Sequence, residues 1–247
     1  MSIQVREGNT TAYLFLLGIK PNRAIRLTEY LTVEPAQCHP GPDDTISAIM
    51  SRENGGCLEV DLRILIATLR QTNAQLLIEG SDAKQLAIRT WNAQTDITLL
   101  SALLGEEIYW HIQCDTKAEE FSKNSHVNIV VNSQLYMPRE IRMVDDHGCI
   151  WLENCFPTAR KLMDEEKRFY PVVNSLWALR MNVNPFVQMS VLWAGIESLI
   201  GVGSYELEYR ISTMAALFLE SGAEERNRIK SCITLDQKPF TRVTQKP

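Results

Sequence analysis

Apolar residues recur in the first part of the chain as short runs between turn signals, and in the last third at helical spacing. Thr11 to Ile19 reads as a strand closed by Gly18-Ile-Lys-Pro21, and another apolar run, Leu58 to Leu69, follows the turn Asn54-Gly55-Gly56. Gln75 to Ile78 gives a further short strand. Ser81 and Asp82 then supply a helix cap ahead of Leu86, Ile88 and Trp91, with a second helix across Ile97 to Leu104. The strand pattern returns over Ile108 to Ile112 and over His126 to Val131, where Val127, Ile129 and Val131 alternate with polar neighbours. Arg139 to Val144 and Cys149 to Leu152 flank Asp145-Asp146-His147-Gly148, which reads as a hairpin turn with Gly148 at positive φ. The Cys38 to Asp44 stretch, carrying two prolines, is a loop.

After Phe156-Pro157 the character changes to helix. Thr158 to Arg168 is charged and helix-prone, and Pro171 opens a helix bearing Val172, Val173, Leu176 and Leu179. Asn184-Pro185, a capping residue followed by proline at the first helical position, opens the next, which ends near Gly201 and Gly203. Ser204 caps a fourth helix with Glu206 and Glu208 near its positive end, and Ala223 to Cys232 forms a short basic fifth. The expected organisation is α+β: a sheet-rich mixed α/β module over 1–157, a helical domain over 158–235 and an irregular basic tail over 236–247.

Composition adds exclusions. The 247 residues are 45% hydrophobic and 22% charged, with 12 Gly and 10 Pro, which removes disordered, collagenous and disulfide-scaffold readings. The longest apolar stretch, Phe186 to Val202, falls short of the roughly 20 residues of a membrane span and carries Gln188, Ser190 and Glu197. The N-terminus lacks the pattern of a secretory signal, so a cytoplasmic protein with no membrane partner is expected. Six cysteines without a C-x-x-C pair then read as small buried hydrophobes. The formal net charge of −5 argues against wholesale coating of nucleic acid, but charge is unevenly spread: residues 160–247 hold 12 basic and 10 acidic side chains. From Arg226 onward, with Arg228, Lys230, Lys238, Arg242 and Lys246, only Asp236 is acidic. Arg226, Arg228 and Lys230 are therefore candidate RNA phosphate contacts, against the plainer reading of a solvated tail.

On the Asn184 to Ile200 helix, Phe186, Met189, Trp193, Ile196 and Ile200 share one face, and Ser190, Ala194, Glu197 and Gly201 form a stripe that admits a neighbouring helix. On the following helix Leu207, Ile211, Met214, Ala215 and Phe218 repeat at helical spacing, with Arg210 beside them. Arg210 has two candidate partners, Glu197 across the helices or Glu206 one turn away.

The run Leu192-Trp193-Ala194-Gly195-Ile196-Glu197-Ser198-Leu199-Ile200-Gly201, followed by Tyr209-Arg210-Ile-Ser212 and Ala215-Ala216-Leu217, resembles the Apea-like HEPN domains over about residues 170–232. The residues that carry the resemblance are Trp193, Glu197, Tyr209, Arg210 and Ser212. It implies an antiparallel helical bundle that dimerises, and kinship with metal-independent, RNA-cleaving endoribonucleases of toxin–antitoxin and anti-phage systems. Such enzymes use an Arg and, four to six residues on, a His near the end of the domain. The imidazole moves the 2′-hydroxyl proton and the guanidinium stabilises the phosphorane charge. Here no histidine follows His147, and the chain beyond Ile233 departs from the family pattern. The expectation is an incomplete, truncated bundle without catalytic residues and without cofactor. The alternative is a non-catalytic module that binds a ligand, RNA or protein and dimerises through its helical part.

Other constellations are weaker. Arg142-Met-Val-Asp-Asp-His147 matches Arg-x4-His literally, but across the expected hairpin, where both residues read as solvated. His147, Cys149 and Cys155 lack zinc-ligand spacing, so no metal site is expected. Gly201-Val-Gly203 is a helix terminus rather than a dinucleotide fingerprint. Cys38-His39 has nothing to position it as a nucleophile.

Overall fold

A computed structural model describes residues 5–41, 44, 58–129, 138–182, 184–200, 212–214, 216–217 and 226–228. The architecture is mixed α+β, and the chain divides into two compact units, Met1–Leu162 and Met163–Pro247.

The first unit is built on a six-stranded antiparallel sheet in the order β3-β4-β5-β1-β6-β7. The strands are β1 (Thr11–Leu17), β3 (Ile25–Arg26), β4 (Leu31–Pro35), β5 (Ala74–Glu79), β6 (Tyr109–Cys114) and β7 (Val127–Ile129). The sequence of β1 explains its inner position. Every residue from Ala12 to Leu17 is buried, so a continuous apolar run serves two covered faces rather than one. Tyr13 and Phe15 join Leu65, Leu69, Ile112 and Val127 in one core cluster. Leu65 and Leu69 come from α1 (Leu58–Gln71), which packs on β6, β1 and β7. On the other face α2 (Ala83–Leu104) packs on β5 and β1, where its Leu86 approaches Ala12.

The apolar run Leu58 to Leu69 is helix, because twelve apolar-rich positions exceed a typical strand and Leu65 and Leu69 stand one turn apart on the buried side. Residues 83–104 form one helix instead of two. Its cap lies where the sequence placed it: Asp82 accepts from the Gln85 amide at 2.8 Å, and the Gln85 side chain accepts from the Ser81 amide at 2.7 Å. Gly105 closes the helix in the left-handed region at φ 67°, with its N–H bonded to the Ala102 carbonyl.

A second, two-stranded sheet pairs β2 (Ile19–Pro21) in parallel with β8 (Arg142–Val144). The expected strand Thr11 to Ile19 is thus two strands, divided at Gly18 with φ 91°. The expected hairpin at Asp145 to Gly148 is the start of a helix, α3 (Asp146–Glu165). Asp145 accepts from the Gly148 amide at 2.9 Å, which is capping geometry. Cys149, Leu152 and Phe156 are fully buried at helical spacing while Ile150 and Trp151 are exposed. Four residues were too short a window to separate that period from a strand's. Pro157 lies inside α3 and does not end it.

In the second unit α4 (Phe169–Met181) starts two residues before Pro171, whose missing N–H falls in the first turn, where no intrahelical partner is lost. α5 (Pro185–Ile200) begins at the expected cap: the Phe186 amide donates to Asn184 Oδ1 at 2.9 Å. Gln188 ties the connection down by donating to the carbonyls of Asn182 and Leu179. Replacing Asn184 by Ala should cost about 1 kcal/mol of stability, the usual value of such a cap. Denaturant unfolding checks this, and an unchanged midpoint would mean that the cap contributes nothing.

The close approach between α4 and α5 is not through the Ser190, Ala194, Glu197 stripe. Ser190 and Ala194 are exposed. The contact is at Gly195, where a Cβ would overlap the Ser175 hydroxyl and come to 3.6 Å from Val172 Cα. Val172 and Ser175 lie early in α4 and Gly195 late in α5, so the pair is antiparallel. Residues 212–214, 216–217 and 226–228 are helical, with Ser212 and Ala216 buried one turn apart.

Candidate functional site

The Arg142 and His147 pair falls on β8 and the first turn of α3. His147 is exposed, and the Arg142 guanidinium lies 3.9 Å from the Glu106 carboxylate. The same joint holds a stronger group of contacts, not foreseen from the sequence. Arg23, just after β2, forms paired hydrogen bonds to both Glu153 oxygens at 2.7 and 2.9 Å. Its neighbour Asn22 donates to Asp146 at 2.8 Å and accepts from the Cys149 thiol at 3.3 Å. The Arg23 hydrogen bonds hold the Glu153 carboxyl below its ordinary value of 4.5.

A depressed carboxyl stabilises the fold above its unfolded pKa, and that contribution disappears as pH falls through the folded pKa. Glu153→Gln should therefore lower stability at neutral pH, and the difference from the native chain should close as pH falls below about 4.5. Parallel unfolding curves at pH 7 and pH 3.5 check this. A gap of equal size at both would assign the effect to packing.

The residues of the helical motif are dispersed over different environments. Trp193 and Glu197 are half-buried on α5, and Ser212 is buried. Arg226 is half-buried and Arg228 exposed in the helical segment 226–228. Tyr209, Arg210 and Lys230 lie outside the described residues, as do Glu206, Leu207, Ile211 and Phe218. The question of the Arg210 partner lies there too.

Among the described residues Cys38, Cys114 and Cys149 are buried. Burial pushes the Cys38 thiol up to about 12, with Cys114 close enough to add to the effect, and pushes Cys114 up to about 11. Burial also raises Cys149. Thiols held protonated at neutral pH are poor nucleophiles and poor ligands. Among the described residues no group of three His, Cys, Asp or Glu side chains is arranged to hold a metal ion.

A concave polar site does occur in the first unit, at the end of the sheet where β1 begins, β6 ends and β7 begins. It is a shallow, open cleft, walled by Leu86 and floored by Gln113 and Asn128, both almost fully buried. Register explains the floor. Gln113 pairs with Asn128 in the ladder, and Asn128 Nδ2 donates to Gln113 Oε1 at 3.3 Å. Val127 and Ile129 alternate to the opposite face, under α1. Arg6 crosses the mouth of the cleft and donates to His126 Nδ1 at 3.1 Å, with Asp115 Oδ2 at 3.8 Å. Because a guanidinium only donates, Nδ1 is the acceptor in this contact. Asp115 in turn accepts from the His126 amide at 2.8 Å.

No family model, curated protein or solved structure matches this chain.

The alternation around Val127 and Ile129 was the sequence signal that could have exposed His126 and Asn128 as one polar row. Arg6 carried none, since it reaches the site from the far end of the chain. Chemically the cleft offers hydrogen bonding and one ion pair near the rim. Thr11 and Cys114 also line it, and burial pushes the Cys114 thiol up to about 11, which keeps it protonated at neutral pH. No helix of the described residues is long and apolar enough to cross a membrane.

Proposed function

We propose that this chain is a non-cleaving relative of the Apea-like HEPN ribonucleases, whose helical part self-associates and contacts RNA. The observation that carries the reading is the antiparallel α4–α5 pair, whose second helix bears Trp193 and Glu197. Gly195 sits at the helix contact, and the start of α5 exposes apolar side chains, with Phe186 71% exposed next to exposed Val187 and Met189. Glu197 is the one charged residue between Pro185 and Ile200. Exposed apolar side chains this close together favour association. The absence of any histidine after His147 supports the non-cleaving part of the proposal.

The test combines light scattering with an RNA cleavage and binding assay. The purified chain is expected to dimerise, to leave RNA intact, and to bind RNA with an affinity that falls steeply as salt rises. Phe186→Asp should raise the dimer dissociation constant roughly 10- to 100-fold, the value of one buried aromatic side chain. A monodisperse monomer would remove the self-association. RNA cleavage abolished by Arg142→Ala would place the chemistry at β8 and overturn the non-cleaving reading. Salt-insensitive or absent RNA binding would favour the other reading, a ligand-binding module centred on the first unit, whose buried Gln113 and Asn128 floor speaks for it.

A further inference from the structure

We draw no further inference here: the strongest candidate, the open cleft at the end of the six-stranded sheet, has Arg6, Asp115, His126, Gln113 and Asn128 engaged with one another, and nothing in the structure shows what ligand would displace those contacts.

Discussion

Replacing Arg160 by Met should destabilise the protein by about 3–5 kcal/mol, the cost of leaving a buried carboxylate without its counter-ion. Arg160 Nε on α3 lies 2.7 Å from Asp96 Oδ1 on α2. The Asp96 side chain is 2% exposed and that of Arg160 18%. Those exposures decide the regime, since a surface pair would contribute only about 0–1 kcal/mol. For a unit of this size the loss corresponds to a fall in melting temperature of roughly 10 °C. The double variant Asp96→Leu with Arg160→Met removes both charges and should recover most of the loss, because an apolar pair of similar volume is often neutral or better. Thermal unfolding followed by circular dichroism measures all three proteins. If the double variant melts as low as the single one, lost packing rather than an unpaired charge is responsible.

Neither member of that pair stood out in the sequence, and the reason is general. Asp96 sits among Ala93, Ile97, Leu99 and Leu100, and a carboxylate in an apolar helix is legible as a buried charge only once its partner from another helix is known. Features fixed by neighbouring residues were readable. Asn184-Pro185 opens α5, Asp82 caps α2, and the central strand at Thr11 and the strand at Gln75 lie where period and turn residues placed them. Short windows admit both periods. Cys149 to Leu152 is a continuous apolar run that fits a strand but lies on α3, and the alternating Leu58, Val60, Leu62 and Ile64 belong to α1. The candidate cleft was legible only in part. The polar row on β7 is implied by the apolar one, but the shift in register between Leu14 and Leu16 on β1 against β6 has no sequence signature. The approach of Arg6 to His126 depends on tertiary placement alone.

Gly18→Ala is expected to be the most damaging glycine-to-alanine change among the described residues of the first unit, at about 3–5 kcal/mol. Two costs combine. Gly18 has φ 91°, a region that charges an L side chain about 1–2 kcal/mol. Its Cβ would also overlap the Glu107 carbonyl oxygen and reach 3.0 Å from Pro138 Cβ. A backbone carbonyl leading into β6 cannot swing aside as the tip of a long side chain does. The position is consequential because it is where the chain leaves the large sheet for the small one: the Gly18 carbonyl accepts the Arg142 amide at 2.8 Å, the first rung of the β2–β8 ladder. Gly8 provides the control. It has the same φ of 91° but nothing within 4 Å of its would-be Cβ, so Gly8→Ala should carry the conformational cost alone, about 1–2 kcal/mol. Urea unfolding of the two variants isolates the steric part as their difference, and amide exchange at Arg142 should accelerate in Gly18→Ala only. Equal destabilisation by the two substitutions, with Arg142 exchange unchanged, would show that the β1–β2 junction does not pack against the strand that follows Glu107.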